Sequence, residues 1–181
     1  MNKVIAAINM TLDGVFDHTA VQASEALHQH YFELIDPADV ILYGRITYQL
    51  MEYWKTVVAH PTGNKATDAF AVSMDKIEKI VFSRTLNSSN WDTATIADET
   101  PEKVVSRLKM QQASTVLIGS RSLLIQLMKF NLVDEFQLCI HPVVAGRGAF
   151  LFEQQDWRQS FRLIKTKTLD SGAIVVYYQP L

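Results

Sequence analysis

The chain of 181 residues carries one cysteine, Cys139, together with seven glycines and five prolines. A single cysteine excludes an internal disulfide framework and fits a reducing compartment, so a cytoplasmic location is expected. Cys139 lies in an apolar stretch and reads as a small buried hydrophobe. Long apolar runs are missing. The longest, Ala173–Tyr178, has six residues, whereas a membrane-spanning helix needs roughly 20. The opening Met1-Asn2-Lys3 and Val4–Ile8 lack the length and cleavage pattern of a secretory leader, and read as a first buried strand. Charge of one sign is also absent: 17 Lys and Arg stand against 19 Asp and Glu, a net charge of -2. That balance argues against a nucleic-acid partner, which needs a strongly basic face. Repeats, low-complexity tracts and charge blocks are lacking, so one domain over 1–181 is expected. Neither G-x-G-x-x-G nor G-x-x-x-x-G-K-[ST] occurs, which removes support for the common dinucleotide fold and for a P-loop enzyme. The five histidines show no metal-ligand spacing. His28 and His30 are close in sequence but point to different helix faces, so no metal site is expected.

What is present is an alternation of short apolar strands with amphipathic helices. Val4–Ile8 and Val40–Tyr43 are continuous apolar runs, as expected of strands covered on both faces. Between them, residues 21–35 place Ala23, Ala26, Leu27, Tyr31, Leu34 and Ile35 close to helical spacing. A short helix is predicted over Thr47–Tyr53, a loop over 55–64 and a helix over 66–74. Ile80–Phe82, Thr93–Ala97 and Thr115–Ile118 follow as strands. Thr100-Pro101-Glu102 is a helix start, with a residue able to cap, a proline at the first position and an acid near the positive end of the dipole. A further helix buries Leu123, Leu124, Leu127 and Met128. Beyond Asn131 the period becomes two: Phe136, Leu138 and Ile140 alternate with Gln137, Cys139 and His141, the mark of a half-covered strand. Phe161–Leu169 and Ala173–Tyr178, separated by Asp170-Ser171-Gly172, read as a closing antiparallel hairpin. The predicted fold is α/β: a mostly parallel twisted sheet, helices on both faces and an antiparallel C-terminal hairpin.

In an open parallel sheet, ligands bind beyond the carboxyl ends of the strands. Three such ends share a chemistry: Gly44-Arg45-Ile46-Thr47, Ser83-Arg84-Thr85 and Gly119-Ser120-Arg121-Ser122. Each offers glycine or serine for close backbone approach, hydroxyls and an arginine. Two lead straight into a helix, whose free N–H groups and dipole attract anions. Any one of these is ordinary turn chemistry; three on one edge point to a ligand with several phosphates.

These same segments, Gly44-Arg45-x-Thr47-Tyr48, Val81-Phe82-Ser83-Arg84-Thr85-Leu86 and Leu117-Ile118-Gly119-Ser120, resemble the three cofactor segments of the dihydrofolate reductase fold. The run Leu132-Val133-Asp134-Glu135 through His141-Pro142-Val143-Val144 and Gly146-Arg147-Gly148 to Leu151-Phe152 is narrower. It is similar to the signature of the reductase domain at the C-terminus of the bifunctional riboflavin-biosynthesis deaminase-reductase, and of its free-standing relatives. The resemblance extends from Lys3 to Pro180. It implies an eight-stranded sheet with NADPH along its carboxyl edge. By that likeness Arg45, Thr47, Ser83 and Arg84 hold the adenosine 2′-phosphate. Gly44, which opens the Arg45 segment, is a further cofactor contact; Gly119, Ser120 and the helix start Arg121, Ser122 and Leu123 hold the pyrophosphate, while Ala6 and Ala7 lie beside the nicotinamide. Two departures stand out. The buried acid that dihydrofolate reductases carry early in the first helix falls on His28, which argues against folate reduction. Their glycine pair is Gly119-Ser120 here, where a changed local backbone is expected. The zinc deaminase pattern H-x-E and P-C-x-x-C is absent.

For the chemistry itself, Asp13 in the Asp13-Gly14 loop and His28 are the candidate acid–base residues, and Tyr31 and Trp54 are candidates to line the substrate cavity; packing explains both aromatics about as well. The activity expected is hydride transfer from NADPH to a small heterocyclic or carbonyl-like substrate, resembling 5-amino-6-(5-phosphoribosylamino)uracil reductase. A reductase of the same fold with another substrate, and a nucleotide-binding module without turnover, stand as alternatives. The long C-terminal strands, with the resemblance, imply a symmetric homodimer.

Overall fold

The structure is a computed structural model that describes residues 3–16, 18–21, 23–111, 115–153 and 156–181. Eight strands form one sheet: β1 (Lys3–Thr11), β2 (Val40–Gly44), β3 (Glu78–Phe82), β4 (Ala94–Ile96), β5 (Thr115–Ile118), β6 (Glu135–His141), β7 (Phe161–Thr168) and β8 (Ile174–Pro180). Their spatial order is β4-β3-β2-β5-β1-β6-β8-β7. The first six run parallel, β8 is antiparallel to β6, and β7 is antiparallel to β8. The helices are α1 (Glu25–Ile35), α2 (Arg45–Met51), α3 (Tyr53–Ala59), α4 (Lys65–Lys76), α5 (Pro101–Met110) and α6 (Arg121–Lys129).

Alternation along the central strands divides the core in two. Val4, Ala6, Ile8, Val40, Leu42, Val116 and Ile118 face α5 and α6, whose Val104, Val105, Leu124 and Leu127 complete that layer. Ile5, Ile41, Tyr43 and Leu117 point the other way, toward Ile35 of α1 and Phe70 and Met74 of α4. Both faces are therefore covered, and this is why the parallel strands read as unbroken apolar runs.

Several predicted boundaries move. The helix expected over 21–35 starts at Glu25, because Ser24 takes the N-cap and its Oγ accepts from the Leu27 N–H at 3.2 Å. Thr100 occupies the N-cap of α5 but makes no side-chain cap bond there. The expected loop over 55–64 is a correction: α3 continues to Ala59, since Val57 is buried and the neighbouring Trp54 ring packs edge-on against Phe70 of α4 at 4.5 Å. β6 is a second correction. It lies between β1 and β8 rather than at a half-open position, and Gln137, Cys139 and His141 are as buried as Phe136. Among the described residues no helix is long and apolar enough to cross a membrane.

Candidate functional site

The carboxyl ends of β3, β2, β5, β1 and β6 lie along one edge, so the three arginine-bearing segments end up on neighbouring strands. Leu42 pairs with Ile118 and Gly44 with Phe82, which sets Arg45 beside Ser83 and both near Gly119. The β2 and β5 ends meet closely. Gly119 N–H donates to Leu42 O at 3.3 Å, and Gly44 N–H donates to Ser120 Oγ at 2.8 Å. A Cβ on Gly119 would stand 2.6 Å from Cε1 of the buried Tyr43 ring, so only glycine fits. On Gly44 it would meet Ser122 Oγ at 3.4 Å. Ser120 itself has φ -120 and ψ 130, ordinary extended backbone. The change of geometry expected from serine at this position does not occur; instead its hydroxyl ties the two strands together.

No side chain caps α6, so its first-turn N–H groups open onto this edge with the positive end of the helix dipole. Of the three residues expected to hold phosphate there, Ser122 is exposed and Leu123 sends its side chain into the core. The Arg121 side chain is engaged within the protein. Its Nε donates to Leu151 O at 3.0 Å, its terminal nitrogen pairs with Glu153 at 3.3 Å, and its guanidinium lies 5.9 Å above the Phe16 ring. It fastens residues 151 and 153 to the start of α6. Arg45 and Arg84 are exposed, and Arg45 Nη1 donates to Gln49 Oε1 at 3.5 Å. Thr47 is half-buried. Ser83 Oγ accepts the N–H groups of Thr85 at 3.1 Å and Leu86 at 2.9 Å, which turns the chain after β3.

The loop after β1 is stitched to residues 143–151. Leu12 N–H donates to Val143 O, Phe16 N–H to Ala149 O and Leu151 N–H to Gly14 O, at 2.8, 2.9 and 2.8 Å. Asp13 closes this seam: Thr11 Oγ1 and the N–H groups of Gly146 (2.7 Å) and Ala145 (3.1 Å) all donate to its carboxylate. These bonds, from Thr11 first and then the two amides, hold its pKa down to about 2. With these three donors Asp13 latches the loop after β1 to residues 145–146.

Ala6 is fully buried toward α5 and α6, whereas Ala7 is half-open on the face of α1. His28 is half-buried on α1. Its Nδ1 lies 2.8 Å from Thr67 Oγ1, its ring stacks on Phe70 and meets Trp54 edge-on, and burial lowers its pKa. His28 and Trp54 thus belong to the packing of α1 against α3 and α4. Tyr31 reaches across both that cluster and the Cys139–Tyr177 cluster, so it overlies the sheet face that Ala7 shares. On that face, beyond Ala7, stand Asn9 of β1 and His141 of β6, with His141 Nε2 3.0 Å from Asn9 Oδ1 and 3.6 Å from Cys139 Sγ. Sequence reading did not single out this pair. Its signal is a polar residue near the carboxyl end of each of two strands, and it becomes visible only once β1 and β6 are known to be neighbours. A cavity of about 550 Å³ also exists between the end of α6 and residues 156–160, but none of the residues of the three arginine-bearing strand ends lines it.

The family model of the RibD C-terminal domain matches residues 2–175. The uncharacterised protein YyaP of Bacillus subtilis is 29% identical over 180 residues, covering 97% of this chain and 94% of that protein. A putative riboflavin biosynthesis protein from a Shewanella species superimposes with a TM-score of 0.72 at 16% identity, over 99% of each chain. Dihydrofolate reductase from Enterococcus faecalis, solved with NADP(H), gives 0.63 at 13% identity over 98% of this chain and 96% of that one. The fold is therefore that of the dihydrofolate reductases and of the riboflavin-biosynthesis reductases.

Proposed function

This chain belongs to the RibD C-terminal domain family, and on that premise we propose that it is an NADPH-dependent reductase of a small heterocyclic or carbonyl-like substrate. The observation that carries the reading is the junction of β2 and β5. A glycine whose Cβ space is filled by Tyr43 brings bare backbone to the edge, beside an uncapped helix start and two exposed arginines on adjacent strands. Those groups suit a dinucleotide carrying both a pyrophosphate and a 2′-phosphate. When bound, NADPH supplies the hydride; the residues position it and exclude water. Gly44, Gly119, Ser120 and the first amides of α6 would hold the pyrophosphate. Arg45, Thr47, Ser83 and Arg84 would face the 2′-phosphate, and Ala7 would lie against the nicotinamide. His28 stands where a folate reductase needs its acid, so dihydrofolate is a poor substrate in this reading.

The substrate class favoured by family membership is the ribosylamino group of a phosphorylated pyrimidine, as in 5-amino-6-(5-phosphoribosylamino)uracil reduction. The test is NADPH oxidation followed with that compound, with dihydrofolate and with a panel of small carbonyl compounds. Turnover of the pyrimidine is expected; NADPH binding without turnover of any compound would leave a nucleotide-binding module. A reducing, cytoplasmic setting and a homodimer complete the proposal. β7 is an edge strand on which Leu163 and Ile164 stay about half exposed, a surface suited to a second copy. Light scattering should give about twice 20.5 kDa; a monomer alone would overturn the dimer.

A further inference from the structure

A reductase must deliver a proton as well as a hydride; Asp13 is engaged by Thr11 and the amides of residues 145 and 146, and His28 by Thr67. We propose that His141, oriented by Asn9, is the catalytic proton donor of this site. The inference rests on the reductase reading above and deepens it.

Thr11 pairs with His141 and Asn9 with Cys139 in the parallel register, so the four residues form one patch at the carboxyl ends of two central strands. His141 is 4% exposed. Its Nε2 contacts Asn9 Oδ1 at 3.0 Å. An amide oxygen only accepts, so Asn9 fixes the proton on Nε2 and favours the charged ring when Nδ1 also gains one. Cys139 touches the same nitrogen at 3.6 Å, and burial pushes its pKa up to about 12, so the thiol stays protonated. A nucleophile–base–orienter triad needs the two ring nitrogens to serve different partners. Here one nitrogen serves both, which leaves Nδ1 for another purpose.

Among the described residues nothing partners Nδ1, and no buried side-chain nitrogen or oxygen lacks a partner, so Nδ1 is not sealed in. Asn9 and the register partner of His141, Thr11, lie two and four residues along β1 from Ala7, on the same sheet face. Cys139, on the same strand as His141, touches its ring, and Tyr31 of α1 and Tyr177 of β8 share a cluster with Cys139. Burial raises the Tyr31 phenol well above its ordinary range, with Cys139 and Tyr177 adding to the effect, so it is a much weaker acid than an imidazolium. Burial lowers the His141 pKa, so the ring gains its second proton, on Nδ1, mainly below neutrality, and that charged form is the donor.

The chemistry balances with the cofactor already proposed. When bound, NADPH would supply a hydride, two electrons with one hydrogen, to the carbon of a C=N or C=O bond and become NADP+. The π pair would move to the heteroatom, which would take the proton from His141 Nδ1, and solvent would reprotonate the ring.

The experiment compares wild type, His141→Gln and Asn9→Ala in three measurements: kcat against pH, NADPH dissociation constant, and NMR titration of the His141 ring. His141→Gln should lower kcat by about a hundredfold or more, abolish the fall of kcat as pH rises through the His141 pKa, and leave the NADPH constant within about twofold. Asn9→Ala should move the ring titration to lower pH, because an acceptor for the imidazolium is lost. Wild-type turnover with a kcat unchanged in His141→Gln would overturn the donor role alone. Equal losses of kcat and NADPH affinity would mark a structural role and overturn it too. Wild type that never oxidises NADPH would overturn the reductase reading, and this inference with it.

Discussion

The backbone N–H of Gly44 donates to Ser120 Oγ at 2.8 Å, so the last residue of β2 is fixed beside the first turn of α6. Glycine at 119 makes that approach possible, since a methyl group there would collide with the Tyr43 ring at 2.6 Å. Tyr43 is buried and its hydroxyl contacts Met74 Sδ at 3.3 Å, so the ring has little room to retreat. Gly119→Ala should therefore destabilise the protein by about 1–3 kcal/mol, the usual cost of overpacking. Urea denaturation measures it; a variant as stable as wild type would show that this junction is soft.

Cofactor choice tests the arginines. Arg45 and Arg84 follow adjacent strand ends, and a guanidinium bond to a phosphate contributes about 1.5–3 kcal/mol. Arg45→Ala and Arg84→Ala should each weaken NADPH binding about tenfold or more, with NADH binding hardly changed. Titration of both cofactors decides the matter. Wild type preferring NADH, or losses shared by both cofactors, would return these arginines to solvated surface.

Asp13 holds the seam between the loop after β1 and residues 145–146. Its pKa in the folded protein lies below its ordinary value. The stability it lends is therefore complete above the unfolded carboxyl pKa, near 4, and is lost as pH falls toward 2. Asp13→Asn should expose the Ala145 and Gly146 amides, visible as faster hydrogen exchange there at neutral pH. It should also flatten the acid limb of the stability curve. Unchanged exchange at these two amides would show that the backbone bonds of Leu12, Phe16 and Leu151 suffice without the carboxylate.

Lys79 gives a signal of opposite sign. It is fully buried, its Nζ donates to Ile77 O at 2.7 Å and Thr93 Oγ1 at 2.8 Å, and it lies 4.0 Å over the Trp91 ring. Burial lowers its pKa to about 8, against a partial rise from Asp75. Between that value and its unfolded pKa near 10.4 the unfolded chain binds the extra proton, so stability from this group rises with pH across that window. Denaturation midpoints at several pH values, wild type against Lys79→Met, should diverge over this range in the wild type's favour. Parallel curves would mean that Lys79 titrates normally.

The sequence by itself determined the layered α/β plan. Unbroken apolar runs at Val4–Ile8, Val40–Tyr43 and Thr115–Ile118 can be buried only between two helical layers, and the three arginine-bearing ends were legible as turn chemistry repeated at strand ends. Tertiary structure decided what those local signals were for. Arg121 and Asp13 carry the residue types of a phosphate ligand and an acid, yet their partners, Leu151, Glu153, Ala145 and Gly146, lie far along the chain and meet them only after folding. The helix over 53–59 was hidden because Trp54 and Val57 are held by packing on a neighbouring helix rather than by a strong local period. The Asn9–His141 contact spans 132 residues and exists because β6 chose the free side of β1. Strand order is set by the summed burial of the whole sheet, a non-local quantity that no window of sequence contains.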